Sequence, residues 1–338
     1  MEMTCGTDKI YGRYSDVVER QVDWLWYPYI PYGKLTLLQG DPGDGKSTFM
    51  LNLVSILSKG GALPDGSKEL DAMTVVYQCA EDDSEDTIKP RLITAGADCS
   101  KVFFIKENDD VLSLTDDRIE KVIKEIGAKL LILDPLQAFI PPDADMQSAQ
   151  KMRSMTRRLS EMAARNNCAV VMIGHMNKAT GGKNLYRGLG SIDIAAVVRS
   201  VLMIVRDDEN SNIRYMFPVK SNLAPEGDAI GFYFDPACGF QWLGRCRMKQ
   251  ETDAVSGAVV GTPMIGGKKD IAMELLPIIL SAGDVLSTEV MQRMKQLGIQ
   301  ERTVRTAQKN LGIKAYKNGK AWYWRLEKAP EENNTKDK

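Results

Sequence analysis

The most constraining feature of this sequence is a short apolar stretch that runs directly into a glycine-rich segment and then into a helical pattern. Leu35–Gln39 is followed at residues 40–47 by GDPGDGKS, which fits the spacing G-x-x-x-x-G-K-[ST]. Apolar residues then recur at helical spacing, at Phe49, Leu51, Leu53, Val54 and Leu57. A strand, a phosphate-binding turn and a helix in this order predict a P-loop.

The residue types of this segment suit a nucleoside triphosphate. Glycines let backbone N–H groups point at phosphate oxygens, and the N-terminus of the following helix adds a positive dipole end. We expect ATP and Mg²⁺ as cofactors, with Lys46 reaching the β- and γ-phosphates and Ser47 holding Mg²⁺. The predicted nucleotide-binding residues are Gly40, Asp41, Pro42, Gly43, Asp44, Gly45, Lys46, Ser47 and Thr48. The alternative is a glycine-rich turn with a merely solvated lysine, which leaves the spacing unexplained.

The rest of the first 248 residues alternates apolar runs with helical patterns. The runs are Leu35–Gln39, Thr74–Gln78, Val102–Ile105, Leu130–Leu133, Ala169–Ile173 and Val201–Val205, with later strands expected at Met216–Lys220 and Ile230–Phe234. Helical spacing occurs at Ser47–Ser58, Asp116–Ile126 and Ala149–Ala164. Fully apolar strands that alternate with helices predict an α/β fold with a mostly parallel sheet covered on both faces.

Polar residues follow three of these apolar runs. Asp134 ends the run at 130–133, as expected of a second Mg²⁺ ligand. Glu81 follows the run at 74–78 and suits a general base that orients water, although the acidic residues after it allow a solvated turn instead. His175 follows the run at 169–173, where open α/β sheets bind ligands, so it suits a γ-phosphate sensor, with Asn177 as a weaker second polar group. A lone histidine is otherwise usually structural.

Composition excludes several classes of protein. The chain has 338 residues, with 44 Lys and Arg against 45 Asp and Glu, so it carries no overall basic field. Its longest apolar stretch, Ile194–Val205, is short and is broken by Arg199, so we expect no membrane span. The start lacks the order of a signal peptide, the six cysteines form no CxxC pair, and there is one histidine. These features predict a cytoplasmic protein without a zinc module or a His-rich metal site.

The charge distribution and the glycine pattern predict two domains. Residues 1–248 form the predicted ATPase domain, with an N-terminal extension at 1–33, and the Gly-rich residues 249–267 form a linker. Residues 268–328 carry twelve Lys and Arg against six acids, and we expect residues 329–338 to form a polar, flexible tail.

The basic C-terminal segment has the pattern of three helices followed by a hairpin, which resembles a winged helix. Helices are expected at Lys269–Leu280, Thr288–Leu297 and Glu301–Leu311, and strands at Ile313–Tyr316 and Ala321–Leu326 around an Asn-Gly turn. The predicted nucleic-acid contacts are Arg302, Arg305, Lys309, Lys317 and Lys320, and Trp322 or Trp324 could stack on a base. The alternative is a module for protein contacts with both tryptophans in its core.

The four strand-end elements together resemble the RecA-like ATPase core, and most of all the plasmid RepA-type hexameric helicases with their phage and mobile-element relatives. The resemblance covers roughly residues 20–245 and is specific as a set. Its motifs are residues 24–34, 40–48, 80–82, 87–92, 95–98, 174–175 and 187–191, with Asp193, Arg199 and residues 220–222.

This resemblance implies roles for further residues. Glu81 matches the catalytic glutamate, and His175 matches the motif that couples the γ-phosphate to DNA-binding loops. Arg199 matches an arginine finger supplied by the neighbouring subunit, and Lys220 a nearby lysine that also acts in trans; a salt bridge and a surface lysine are the respective alternatives. Lys178, Lys183 and Arg187 lie in the loop that faces the pore and touches single-stranded DNA in that family, or else in a disordered surface loop.

The sequence departs from the families that it resembles in its accessory parts. The N-terminal domain of DnaB-type helicases and the zinc motif of RadA-type proteins have no counterpart in it, and neither does a fused primase. We therefore expect a bare ATP-driven DNA motor, a helicase or a DNA-stimulated ATPase that works as a homo-oligomeric ring, as a hexamer. Single-stranded DNA would lie in the pore, and duplex DNA could bind the C-terminal module.

Two other functions fit parts of the pattern. An ATP-switched DNA-binding regulator, helicase loader or recombination mediator would use slow hydrolysis only to reset its shape. A small-molecule P-loop kinase is disfavoured, because it needs a substrate lid and leaves the basic module without a purpose.

Overall fold

The fold is organised around one ten-stranded β-sheet. It is seen in a computed structural model that describes residues 11–107, 110–141, 149–175, 194, 197–207, 210–235, 239–252, 259–264, 268–280, 283–296, 299–319 and 321–326. The strands are β1 (Trp24–Trp26), β2 (Ile30–Pro31), β3 (Leu35–Gly40), β4 (Gly61–Ala62), β5 (Glu69–Leu70), β6 (Val75–Cys79), β7 (Val102–Phe103), β8 (Leu130–Asp134), β9 (Ala169–His175), β10 (Ser200–Arg206), β11 (Ile213–Ser221), β12 (Ala229–Asp235), β13 (Gly239–Thr252), β14 (Val259–Met264), β15 (Val285–Leu286), β16 (Lys314–Asn318) and β17 (Ala321–Arg325).

Helices connect most of the central strands. The α-helices are α1 (Lys46–Lys59), α2 (Lys89–Ala95), α3 (Asp117–Ile126), α4 (Ala149–Arg165), α5 (Lys268–Ile279), α6 (Ser287–Gln296) and α7 (Glu301–Asn310). Short 3₁₀ helices occur at Tyr14–Asp16, Cys99–Lys101 and Leu136–Phe139, and a π-helical turn at Ser84–Ile88. Every strand and helix predicted from the sequence is present, with ends that differ by a few residues.

The sheet has a parallel half and an antiparallel half. Its order is β14-β13-β12-β11-β10-β3-β9-β8-β6-β7. The pairs from β10 to β7 are parallel, whereas those from β14 to β10 are antiparallel. The P-loop strand β3 lies between β9 and β10, so its end is flanked on both sides.

Alternating side chains of the parallel strands pack into two separate apolar cores, one on each face of the sheet. On one face, Leu38 and Ile132 pack in a cluster with Phe49 of α1 and Leu92 of α2. On the other face, Leu37, Leu131 and Leu133 pack with residues of α3 and α4, such as Ile119 and Leu159. Successive side chains of a strand point to opposite faces, so these apolar runs need helices on both sides. The predicted α/β fold, with helices on both faces of the parallel strands, is confirmed.

The C-terminal elements form a second, smaller sheet with three helices. Along the chain the order is α5, β15, α6, α7, β16 and β17, and the antiparallel sheet has the order β15-β17-β16. Asp284, just before β15, accepts hydrogen bonds from Tyr316 of β16 and Arg325 of β17. These contacts tie the three strands together at one end.

The segment predicted as a linker differs from a plain spacer. Within residues 249–267, β13 continues to Thr252 and β14 occupies Val259–Met264, and the two pair in antiparallel register. The glycines of this segment indicated a flexible connection, but β13 pairs with β12 and β14 pairs with β13, so the segment extends the large sheet and β14 is its edge strand. Strand pairing therefore overrides the local glycine signal.

The C-terminal elements also share a core with the antiparallel half of the large sheet. Leu243 and Cys246 of β13 belong to the same buried cluster as Leu275 and Leu276 of α5 and Trp324 of β17. Across the described ranges, no helix is long and apolar enough to cross a membrane.

Candidate nucleotide-binding site

The polar residues predicted from the strand ends lie along one edge of the parallel half of the sheet. Gly40 pairs with His175, and Cys79 pairs with Asp134. The backbone N–H of Ala80 also donates to the carbonyl of Asp134, at 3.0 Å, so the strand ends remain joined up to the residue before Glu81. Since the carboxyl ends of parallel strands meet at one edge, the P-loop, Asp134 and Glu81 surround a common space.

The P-loop conformation depends on its glycines. Gly43 and Gly45 have φ values of +81° and +86°, in the left-handed region that other residues avoid. At Gly40 a Cβ atom would come within 2.6 Å of the Ile204 carbonyl oxygen on β10. Glycine is therefore needed at Gly40 to let two adjacent strands approach, and at the other two positions to turn the chain.

Lys46 is folded back onto the P-loop. Its Nζ donates to the carbonyl oxygens of Gly40 and Asp41, at 2.8 and 2.9 Å, and the residue is 4% exposed. Burial lowers the pKa of Lys46, while nearby carboxylates, including those of Asp134 and Glu81, oppose this shift. A buried ammonium group held by two carbonyls can exchange them for phosphate oxygens at little cost in burial.

Asp134 is hydrogen-bonded to a buried tyrosine, Tyr77, and Ser47 lies near the same hydroxyl. The Tyr77 hydroxyl donates to Oδ2 of Asp134 at 2.6 Å. Asp134 is 5% exposed, and a buried carboxylate calls for a charge or donors around it. A serine hydroxyl and an aspartate carboxylate at a P-loop are the hard oxygen ligands that Mg²⁺ prefers, so the residues present fit this ion.

The carboxylates of the acidic turn after β6 have different surroundings. Asp82 pairs with Arg91, at 2.7 Å, and Asp83 caps the π-helical turn through the N–H groups of Glu85 and Asp86. Glu81 is exposed and acts electrostatically on Lys46. Two of the neighbouring acids therefore have local structural partners, and Glu81, predicted as the general base, lies within electrostatic range of Lys46.

Two arginines beside the P-loop were not predicted from the sequence. Arg206, at the end of β10, donates from Nε to Oδ1 of Asp44, at 2.9 Å, and from Nη2 to the Gly43 carbonyl. The other oxygen of Asp44 accepts the N–H of Asp41, at 2.8 Å. Burial raises the pKa of the Asp44 carboxyl group, and these hydrogen bonds oppose the shift. The signal in the sequence was weak, because an arginine at a strand end is usually solvated.

Arg214 of β11 is the second of these arginines. It is 7% exposed, and a Cβ atom at Gly45 would lie 3.5 Å from its Cδ. Its Nη1 donates to the carbonyls of Asn212 and Phe234, and its guanidinium group lies over the Phe234 ring. Desolvation and the charge of Arg206 lower the pKa of Arg214. A second positive charge therefore lies behind the start of α1.

Arg199 and Lys220 lie together at the other end of the central strands, away from the P-loop. The Arg199 N–H donates to the Leu35 carbonyl at the start of β3, and Lys220 pairs with Val201 in the β10–β11 ladder. The Lys220 Nζ donates to the Val198 carbonyl, at 3.0 Å, and burial, then Arg199, lowers the pKa of Lys220. The length of β3, about 17 Å at 3.3 Å per residue, separates them from the P-loop of their own chain.

The remaining predicted site residues are described in part. The backbone of His175 lies beside Gly40, but its side chain lies outside the described part of the chain, as do Asn177, Lys178, Lys183, Arg187 and Lys320. Arg302, Arg305 and Lys309 are exposed on α7, and Lys317 is exposed on β16. Arg305 pairs with Glu301, at 2.7 Å. Of the two tryptophans, Trp322 is 53% exposed and Trp324 is buried.

Comparison with known proteins extends this picture. The family described as AAA domain matches residues 12–181. The DNA repair protein RadA of Streptococcus pneumoniae is 29% identical over 148 residues, which cover 43% of this chain and 31% of that protein. RadA of Mycobacterium tuberculosis is 22% identical over 255 residues, covering 73% and 47% of the two chains. The matched segments thus span less than half of either relative.

A solved structure of a DnaB-like replicative helicase has a TM-score of 0.48 to this chain at 16% identity. The similarity covers 61% of this chain and 57% of the helicase.

Proposed function

The chain belongs to the AAA domain family, and from that premise we propose that it is an ATP-hydrolysing DNA motor that works as a ring of identical subunits. The observation that carries the proposal is that Lys46, Asp134 and Glu81 lie near one another beside the P-loop, at the C-terminal ends of the parallel strands. This set holds a phosphate-binding cation, a metal ligand and a base, as ATP hydrolysis requires.

Each of these residues has a step that its position suits. Lys46 leaves the carbonyls of Gly40 and Asp41 for the β- and γ-phosphate oxygens of ATP, which keeps its charge compensated. Glu81 orients the attacking water toward the γ-phosphate and accepts a proton from that water. Ser47 and Asp134 would hold Mg²⁺, which when bound neutralises charge on the phosphate oxygens.

Arg199 and Lys220 complete the site from a neighbouring subunit. They lie at the other end of the central strands from their own P-loop, so they can serve only the nucleotide of another copy. In such a head-to-tail contact, the P-loop edge of one copy faces the Arg199 edge of the next, and closing the contact produces a ring. A guanidinium group that arrives from outside stabilises charge on the transferring phosphoryl group.

The DNA part of the proposal rests on different residues. Lys178, Lys183 and Arg187 follow β9 in the sequence, and we assign them to backbone contacts with single-stranded DNA in the pore. The exposed cations of α7 and the exposed Trp322 support a nucleic-acid surface on the C-terminal module. On this basis we propose a helicase or a single-stranded-DNA-stimulated ATPase.

Mixing inactive variants tests both the chemistry and the ring. Lys46→Ala and Arg199→Ala should each abolish DNA-stimulated ATP hydrolysis. Equimolar mixing of the two should restore about a quarter of wild-type activity, because random assembly across a heterologous contact joins an intact P-loop to an intact Arg199 in that share of interfaces. The measurement is phosphate release with and without single-stranded DNA, alongside mass photometry.

A matched mixture controls for nonspecific recovery. Lys46 and Glu81 serve the same site from one chain, so mixing Lys46→Ala with Glu81→Gln should restore nothing. If the first mixture also stays inactive, or if only single copies form at saturating ATP and DNA, the shared site is wrong. Slow turnover that DNA does not change would instead favour an ATP-switched regulator or loader.

A further inference from the structure

Tyr77 is buried at the centre of the nucleotide site although it is not one of the groups that ATP hydrolysis requires. It lies on β6, pairs with Ile132 on β8, and is 2% exposed. Its ring belongs to the apolar cluster that contains Phe49 of α1, which anchors it from the side. A buried hydroxyl needs a hydrogen-bond partner, so the residue that pairs with this hydroxyl indicates its role.

The Tyr77 hydroxyl is hydrogen-bonded to a residue that would hold Mg²⁺. It donates to Oδ2 of Asp134 at 2.6 Å, and the residues lie on neighbouring strands, β6 and β8. One phenol group therefore ties the end of β8 to the buried part of β6.

This arrangement restricts the Asp134 carboxylate. One of its oxygens is engaged by the phenol, which fixes the rotation of the carboxylate plane and leaves Oδ1 as the oxygen for a metal ion. Hydrogen-bonding partners behind metal ligands commonly orient them in this way. We infer that Tyr77 is a positioning residue that presents Asp134 to Mg²⁺; this inference rests on the proposed ATPase function.

The test is Tyr77→Phe in the full-length chain, which removes one oxygen atom and keeps the packed ring. Binding of a fluorescent ATP analogue is measured first in EDTA and then across a Mg²⁺ titration. We expect metal-free affinity within about twofold of wild type, and a Mg²⁺ half-saturation concentration roughly tenfold to a hundredfold higher. Hydrolysis at low Mg²⁺ should fall and should recover at high Mg²⁺.

Tyr29→Phe is the matched control. Tyr29 is 1% exposed and its hydroxyl donates to the Asp228 carbonyl, at 2.8 Å, so the variant also loses a buried hydrogen bond but not one to Asp134. It should leave the Mg²⁺ titration unchanged. If Tyr77→Phe does not fold, Tyr77→Met fills the space with a flexible apolar chain and carries the same expectation.

The outcomes separate this inference from the proposed function. An unchanged Mg²⁺ half-saturation in the Tyr77 variant, with normal wild-type hydrolysis, overturns the positioning role and leaves the ATPase intact. Equal shifts in both tyrosine variants overturn it as well, since they indicate a general loss of stability. A wild-type protein without Mg²⁺-dependent nucleotide binding overturns the function itself.

Discussion

Arg206 shows how a P-loop can depend on a residue far away in the sequence. It holds Asp44 and the Gly43 carbonyl from β10, while Asp44 holds the N–H of Asp41. The Asp44 side chain is 10% exposed, so its charge would be poorly solvated without the guanidinium group. The loop is therefore held open by a chain of side-chain contacts as well as by its glycines.

A double-mutant cycle measures this coupling. Arg206→Met and Asp44→Asn should each lower the free energy of unfolding in urea, and the double variant should lose less than their sum. We expect a coupling of about 1 kcal/mol, a modest value because Arg206 is 42% exposed and solvent screens the pair.

The exposed pair Arg157–Glu161 on α4 is the matched control. Its side chains are 79% and 50% exposed, so the same cycle should give a coupling of less than about 0.5 kcal/mol. Strict additivity at Arg206 and Asp44 would show that Arg206 does not hold the P-loop.

At the scale of elements, two tryptophans of the hairpin β16–β17 differ in exposure, although they are only two residues apart on β17. Trp324 pairs with Ala315 and lies in the core, at 1% exposure. Trp322 pairs with Lys317 and remains 53% exposed. An exposed aromatic ring opposite a lysine has the composition of a surface on which bases stack beside a backbone phosphate.

The two tryptophans should therefore respond differently to substitution. Trp322→Ala should weaken single-stranded DNA binding by about 1–3 kcal/mol in a fluorescence anisotropy titration, with an unchanged melting temperature. Trp324→Ala should cost about 3–5 kcal/mol of stability through the cavity it leaves. Wild-type DNA affinity in the Trp322 variant would show that bases do not stack on Trp322.

At the scale of the whole molecule, the basic C-terminal module is packed against the large sheet. Leu243 and Cys246 of β13 share a buried cluster with Leu275, Leu276 and Trp324. A module joined only by a flexible linker would not share a core with the domain that precedes it. Strands β10–β13, which carry Arg206, Arg214 and Lys220, therefore belong to the sheet on which the module packs, and Arg199 lies just before β10.

Truncation tests this packing. A chain that ends at Met264 loses α5–α7 and uncovers apolar side chains of β13, so we expect a lower melting temperature and binding of an apolar dye. A chain that ends at Leu326 keeps every described helix and strand and should melt like the full chain. Unchanged melting in the shorter chain would show that the two parts fold independently.

Much of the fold and part of the site follow from local pattern. The glycine spacing before Lys46, the apolar runs and the helical spacings each occupy consecutive residues, and all produced elements close to their predicted ends. Asp134 and Glu81 were also predictable, because parallel strands bring their carboxyl ends to one edge in any such sheet. Backbone geometry has a fixed period along the chain, so it leaves a visible trace in the sequence.

Tertiary structure alone decided which distant side chains meet. Tyr77 could be read only as an apolar strand residue, and Arg206 and Arg214 as solvated cations, until strand order brought them to Asp134, Asp44 and Gly45. The same holds for the strand β14 within the expected linker and for the shared core behind it. Contacts between strands depend on their order and register in the sheet, and these follow from the packing of the entire chain, which no short pattern encodes.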